Sequence, residues 1–193
     1  MNSEIITRVK ASIIPEKKLI NKNGKLFPLP KGLRTKINCY AYALGAMCPE
    51  TSEITYQPGF TTGIEYEERN KEDFLQKMEQ DLENLGFSYR RIPYPNSNFL
   101  EQGEYIVRVF FNTEDSECDG FHFMRKATKS GVWFHKEGWQ NLPSLIKLNV
   151  VPAGQKGRDR KLFKHRVCPT SVEYAENNDI AKPIADYALK YNG

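Results

Sequence analysis

The periodicity of the chain changes once, near Gly86, and that change narrows the fold more than any other feature. Before it, Phe74, Met78, Leu82 and Leu85 recur at steps of four and three across residues 72–85, the spacing of one helical face, and Gly86 stands at the stop position. After it, apolar residues alternate or cluster in short blocks: Phe87 to Ile92, Tyr105 to Phe111, Phe121 to Arg125 and Val132 to His135, with a further strand from Leu145 to Val151. Helices early and strands late, without βαβ alternation, predict an α+β domain built on an antiparallel sheet.

At 193 residues, with 39% hydrophobic and 12% aromatic content, one domain with its own core is expected. A basic N-terminal arm over residues 1–36, a catalytic core over about 37–151 and a C-terminal extension over 152–193 divide it by composition. No apolar run approaches the roughly 18 to 20 residues of a membrane span, so no membrane segment is expected. The first ten residues carry Glu4 and lack the continuous apolar stretch of a secretory signal. The expected location is cytoplasmic, with delivery into a host or release by lysis as further routes. Four scattered cysteines, Cys39, Cys48, Cys118 and Cys168, are too few for a disulfide framework and are read as reduced thiols.

The net charge of +4 names no partner, although residues 1–36 and Lys156 to Arg166 form basic clusters. Neither GxxxxGK[ST] nor GxGxxG occurs, which leaves nucleotide chemistry without support, and there is no CxxC pair or HExxH helix to hold zinc. No metal or other cofactor is called for.

Chemistry concentrates at one cysteine and two histidines. Asn38 to Gly45 reads as a short helix opened by Cys39 and ended by Gly45 and the Cys48-Pro49 step. A free thiol, with a pKa of roughly 8.5, is mostly protonated at neutral pH and needs a base, which in turn needs an orienting group. His122 and His135 lie on consecutive predicted strands. With residues 127–130 as a four-residue loop the two stand directly opposite each other, and a two-residue turn at Lys129-Ser130 keeps them on one face. Cys39 is then the nucleophile, His122 the base and His135 the orienting group, with Asn141 a rival for that last role. The backbone N–H of Cys39 and the Asn38 side chain are candidate oxyanion donors. Arg125 and Lys136 flank the histidines and offer cations to a substrate carboxylate. Tyr56 to Gly63 is either a flap over the cysteine or an ordinary connection.

A cysteine opening a helix, then a strand histidine and a second histidine 13 positions later, resembles the NlpC-type branch of the papain-like cysteine peptidases. The strings around Cys39, His122 and His135 are also similar to a group of small bacterial and phage proteins. The resemblance spans Asn38 to about Gly138 and implies a papain-like fold, a helix packed on an antiparallel sheet, with Cys39, His122 and His135 as nucleophile, base and third polar residue. The Asp-Cys-Ser-Gly signature of wall-cleaving members is absent, so peptidoglycan is not the expected target.

The expected function is a cysteine-dependent hydrolase that cleaves a peptide, isopeptide or other amide bond of a peptide or protein substrate through a thioester. The same residues would serve an acyltransferase or deamidase. The competing classes are a non-catalytic binding protein of the same fold that holds an acidic partner or nucleic acid, and a sensor with Cys39 as a redox thiol.

Overall fold

Six strands pair antiparallel into one sheet: β1 (Phe87–Arg91), β2 (Tyr105–Phe111), β3 (Phe121–Lys126), β4 (Val132–His135), β5 (Ser144–Lys147) and β6 (Pro183–Tyr191), in the order β1-β6-β2-β3-β4-β5. The helices are α1 (Ser3–Ser12), α2 (Cys39–Leu44) and α3 (Lys71–Leu85). The computed structural model describes residues 3–14, 31–33, 35–93, 95–111, 120–126, 132–136, 144–147 and 183–193. The chain is thus α+β, and none of its described helices is long and apolar enough to cross a membrane.

Strand alternation sorts the sheet into two faces. Tyr105, Val107, Val109 and Phe111 of β2, Phe123 of β3, and Tyr187 and Leu189 of β6 join the helices in one buried cluster. Phe74 of α3 stacks on Phe111 at 4.3 Å between ring centroids, and Tyr40 of α2 lies 4.6 Å from Phe123. On the opposite face Arg108 and Asp186, partners in the β2–β6 register, form a fully buried two-pronged ion pair with contacts of 2.7 and 2.9 Å. Such a planar fork neutralises a carboxylate that β6 could not otherwise carry into the middle of a sheet.

Two boundaries differ from the sequence reading. The stretch read as a basic arm contains α1, whose Ile5 and Val9, one helical turn apart, enter the main core. Ser12 Oγ accepts from the backbone N–H groups of Met47 and Cys48, and Ile13 bridges to Ala46, which fastens α1 behind α2. The stretch read as a C-terminal extension supplies β6, an inner strand between β1 and β2. It belongs to the core because its side chains are buried on both faces of the sheet.

The apolar stripe of α3 contains one charged residue, Asp81, which is fully buried. Its Oδ2 accepts from the Tyr40 hydroxyl at 3.0 Å and the Gly59 N–H at 2.8 Å, and its Oδ1 from the Thr61 N–H at 2.9 Å and the Thr61 hydroxyl at 2.6 Å. Burial pushes the carboxyl up to about 6, and these four donors oppose the rise. The segment Tyr56 to Gly63 is accordingly tied to α3 from beneath, as a built connection.

Removing the acceptor strands four donors in a dry interior. Asp81→Ala should therefore cost about 3–5 kcal/mol in urea unfolding, each orphaned buried group costing about 1–3 kcal/mol before relaxation. Gly45, at φ 75°, ends α2, and a Cβ there would stand 2.8 Å from the Ile14 carbonyl oxygen. Gly45→Ala should cost at least about 1–2 kcal/mol by the same measurement, the penalty of left-handed backbone for a residue with a Cβ.

Candidate functional site

α2 starts where Asn38 caps it. The Asn38 Oδ1 accepts from the N–H groups of Tyr40 and Ala41 at 3.0 and 3.1 Å, and its Nδ2 donates to the Tyr56 carbonyl. Asn38, suggested by the sequence as an oxyanion donor, is thus engaged at both ends of its amide in building the helix start. Cys39 follows as the first helical residue, 5% exposed, on the face of α2 that meets β3.

The environment of the thiol is set by what surrounds it. Burial pushes Cys39 up to about 11, and the backbone amide of Phe123, the positive charge of Lys136 and the amides of Tyr40 and Cys39 act against that rise. Lys136, immediately after β4 and fully buried, is pushed down to about 8 by loss of water, while Cys39 and then Glu50 pull it back up. Glu50 also accepts from the Tyr56 N–H at 2.8 Å. A thiol, an amine and a carboxylate therefore share one electrostatic neighbourhood. At neutral pH its resting form is a protonated thiol and an ammonium group whose basicity burial has lowered.

The histidines stand elsewhere. His122 pairs with Phe110 across β2–β3, and their rings lie 6.3 Å apart. Its neighbours in sequence, Phe121 and Phe123, both contact Phe74 on the helix side. Period-two alternation therefore turns His122 to the face that carries Phe110 and Arg108, away from Cys39. Among the described residues no hydrogen bond joins Cys39 to His122. The β3–β4 register pairs Met124 with His135 and Lys126 with Trp133. His135 is consequently two positions along from direct opposition to His122, so the register differs from the one expected with a four-residue loop, while the loop residues themselves lie outside the described ones. The two histidine positions keep the same parity, while Lys136, one residue on, has the parity of Phe123 and so of Cys39. Asn141, Cys118, Cys168 and the Lys156 to Arg166 cluster lie outside the described residues.

Arg125, two residues beyond Phe123 on the helix-facing side of β3, is 3% exposed. Its guanidinium lies over the Tyr105 ring at 3.9 Å, and its Nη1 donates a long 3.4 Å bond to the Ala43 carbonyl near the end of α2. Asp81 is the residue that the sequence reading missed, and Lys136, read there as a cation for a substrate carboxylate, is instead a charge that acts on the thiol. Asp81 was legible as an acid inside an apolar stripe. The relation of Lys136 to Cys39 could have been found by asking which residue around His135 shares the parity of the strand face under Cys39.

The thiol's high resting pKa has a direct readout. Alkylation of Cys39 by iodoacetamide, followed by mass spectrometry, should lag that of a free thiol at every pH below about 9 and rise toward pH 11. Lys136→Met removes a charge that favours the thiolate while the amine is protonated, so alkylation below about pH 8 should slow further, and His122→Ala should leave it unchanged. The chain matches no family model, no curated protein and no solved structure.

Proposed function

We propose that the protein is a cysteine-dependent amide hydrolase in which Cys39 is the nucleophile and Lys136 the group that exchanges protons with it. The observation that carries this reading is that the Lys136 charge acts on the buried Cys39 thiol, together with a backbone amide from β3. The resemblance to NlpC-type papain-like peptidases adds support for the thiol chemistry and for a helix that presents its first residue to an antiparallel sheet.

In the neutral form, Lys136 takes the thiol proton while sulfur attacks the carbonyl carbon. The resulting ammonium returns that proton to the leaving amine nitrogen as the carbon–nitrogen bond breaks, which leaves a thioester. Water then attacks the thioester, giving its proton to the Lys136 amine, and the acid product departs as the thiol is restored. A lysine serves this cycle only if its basicity is lowered, and a value of about 8 leaves a useful neutral fraction near physiological pH. The backbone N–H of Cys39 is the donor available to the oxyanion. The fate of the thioester, hydrolysis or transfer to an amine, follows from which acceptor reaches it.

The burial of Cys39 favours a second reading, a binding protein of the same architecture in which the thiol only packs. Turnover separates the two. On a panel of fluorogenic peptide amides, Cys39→Ala and Lys136→Met should each lower kcat/KM by about 10²-fold or more, the usual scale for losing a general base. Because the base acts deprotonated, wild-type activity should rise with pH through about 8. Loss of activity in His122→Ala with retention in Lys136→Met would return the base role to His122 as the family resemblance has it. Absence of turnover together with a Cys39 inert to alkylation would establish the packing role.

A further inference from the structure

We infer that Arg125 and Tyr42 form a carboxylate-binding subsite one helical turn from Cys39, so that the substrate of this site carries a carboxylate close to its scissile amide. The inference rests on Cys39 being the nucleophile. It starts from a buried guanidinium that no acid among the described residues neutralises. Arg125 is 97% shielded from water, yet it forms no ion pair among the described residues, and its Nη2 is buried without a hydrogen-bond partner. Taking such a charge out of water is costly unless it is paired and its donors are satisfied.

The groups around Arg125 account for only part of it. The Tyr105 ring covers one face of the guanidinium plane, which leaves the in-plane donors untouched. The Ala43 carbonyl receives Nη1 at 3.4 Å and already accepts the Tyr105 hydroxyl at 3.2 Å. The Tyr42 phenol lies within the electrostatic reach of Arg125, and no hydrogen bond from its hydroxyl to a described residue is seen. A guanidinium edge and a phenol hydroxyl are both donors, and the complementary ligand is a planar anion that accepts from two directions, the chemistry of a carboxylate.

The spacing ties this pair to the thiol. Cys39 and Tyr42 are i and i+3 on α2, with Cβ atoms about 5–6 Å apart in such a helix. Phe123, whose amide faces Cys39, and Arg125 are i and i+2 on one face of β3. A substrate lying along the α2–β3 seam would present its carbonyl to sulfur and a carboxylate to Arg125, about one residue away. Two sources fit that reach: the terminal carboxylate of a peptide and an acidic side chain beside the cleaved bond.

Binding tests the subsite separately from catalysis. In Cys39→Ser protein, N-acetyl-alanyl-glycine, N-acetyl-glutamate α-amide and the neutral N-acetyl-alanyl-glycinamide are titrated by calorimetry, with the Arg125 Nε–H resonance as a second readout. The expected result is that a carboxylate ligand binds at least about tenfold more tightly than the neutral one and moves that resonance, as charge-assisted pairing requires. Whichever carboxylate binds better identifies the source. Tyr42→Phe, which keeps the packing, should weaken carboxylate binding several-fold, and Arg125→Lys should weaken it further. Equal binding of charged and neutral ligands, or unchanged carboxylate binding in both variants, would overturn the subsite. Wild-type protein that binds carboxylates selectively but cleaves no amide would overturn the hydrolase reading and leave the subsite standing. Cleavage of neutral and carboxylated amides at equal kcat/KM would do the reverse.

Discussion

A single carboxylate without access to water holds together the three segments that surround the thiol. Asp81 comes from the middle of α3, Tyr40 from the first turn of α2, and Gly59 and Thr61 from the connection between those helices. None of them is close to the others in sequence except the last two. An ionised acid in such a place is tolerable only when every lone pair is met, and the four donors meet them. The position of Cys39 follows from this knot, because the residue next to it, Tyr40, is fixed by its hydroxyl at one end and by the Asn38 cap at the other. The Asn84 amide, donating to the Thr61 hydroxyl at 2.9 Å, extends the same network along α3.

The identity of the groups that meet the thiol is decided by parity in the strands. Moving a residue by one position along β3 or past the end of β4 exchanges the two faces of the sheet. That rule brings Phe123, Arg125 and Lys136 toward α2 and sends His122 toward Phe110. It also gives the far face its own chemistry, in which Arg108 and Asp186 neutralise each other and Lys126 reaches the Pro95 carbonyl at 3.1 Å. The cationic side chains of β2 and β3 thus divide between two environments, with Arg125 alone facing the helices.

Elements with an unmixed pattern were legible in the sequence. The stripe of α3, the β-branched and aromatic run of β2, and the Asn-Cys start and Gly45 stop of α2 all appear within a residue or two of where they were expected. β6 was not, for a physical reason: Pro183 and Asp186 are poor strand residues, and burial of both faces erased the alternation that marks a strand. Its partner Arg108, with the charge of Lys126, makes Asp186 acceptable there, and that pairing is invisible before the fold is known. α1 hid behind the charges of its exposed side, although Ile5, Val9 and Ile13 repeat every fourth residue. Within the site, Cys39 was found from local sequence alone. Its neighbours were not, because the choice between His122 and Lys136 turns on the faces of a sheet, and composition and spacing along the chain carry no sign for that choice.

The place of β6 bears on how the molecule comes into being. Its strand lies between β1 and β2, which come well before it in the chain (Arg108 and Asp186 are 78 positions apart), and contributes one half of the buried Arg108–Asp186 pair. During synthesis, β1 and β2 therefore lack the strand that joins them, and Arg108 lacks the Asp186 carboxylate, until residues 183–191 have left the ribosome. Contacts this distant in sequence close slowly. Until they close, the nascent chain exposes two unpaired strand edges, a state that benefits from a holding chaperone and that a C-terminal truncation would make permanent.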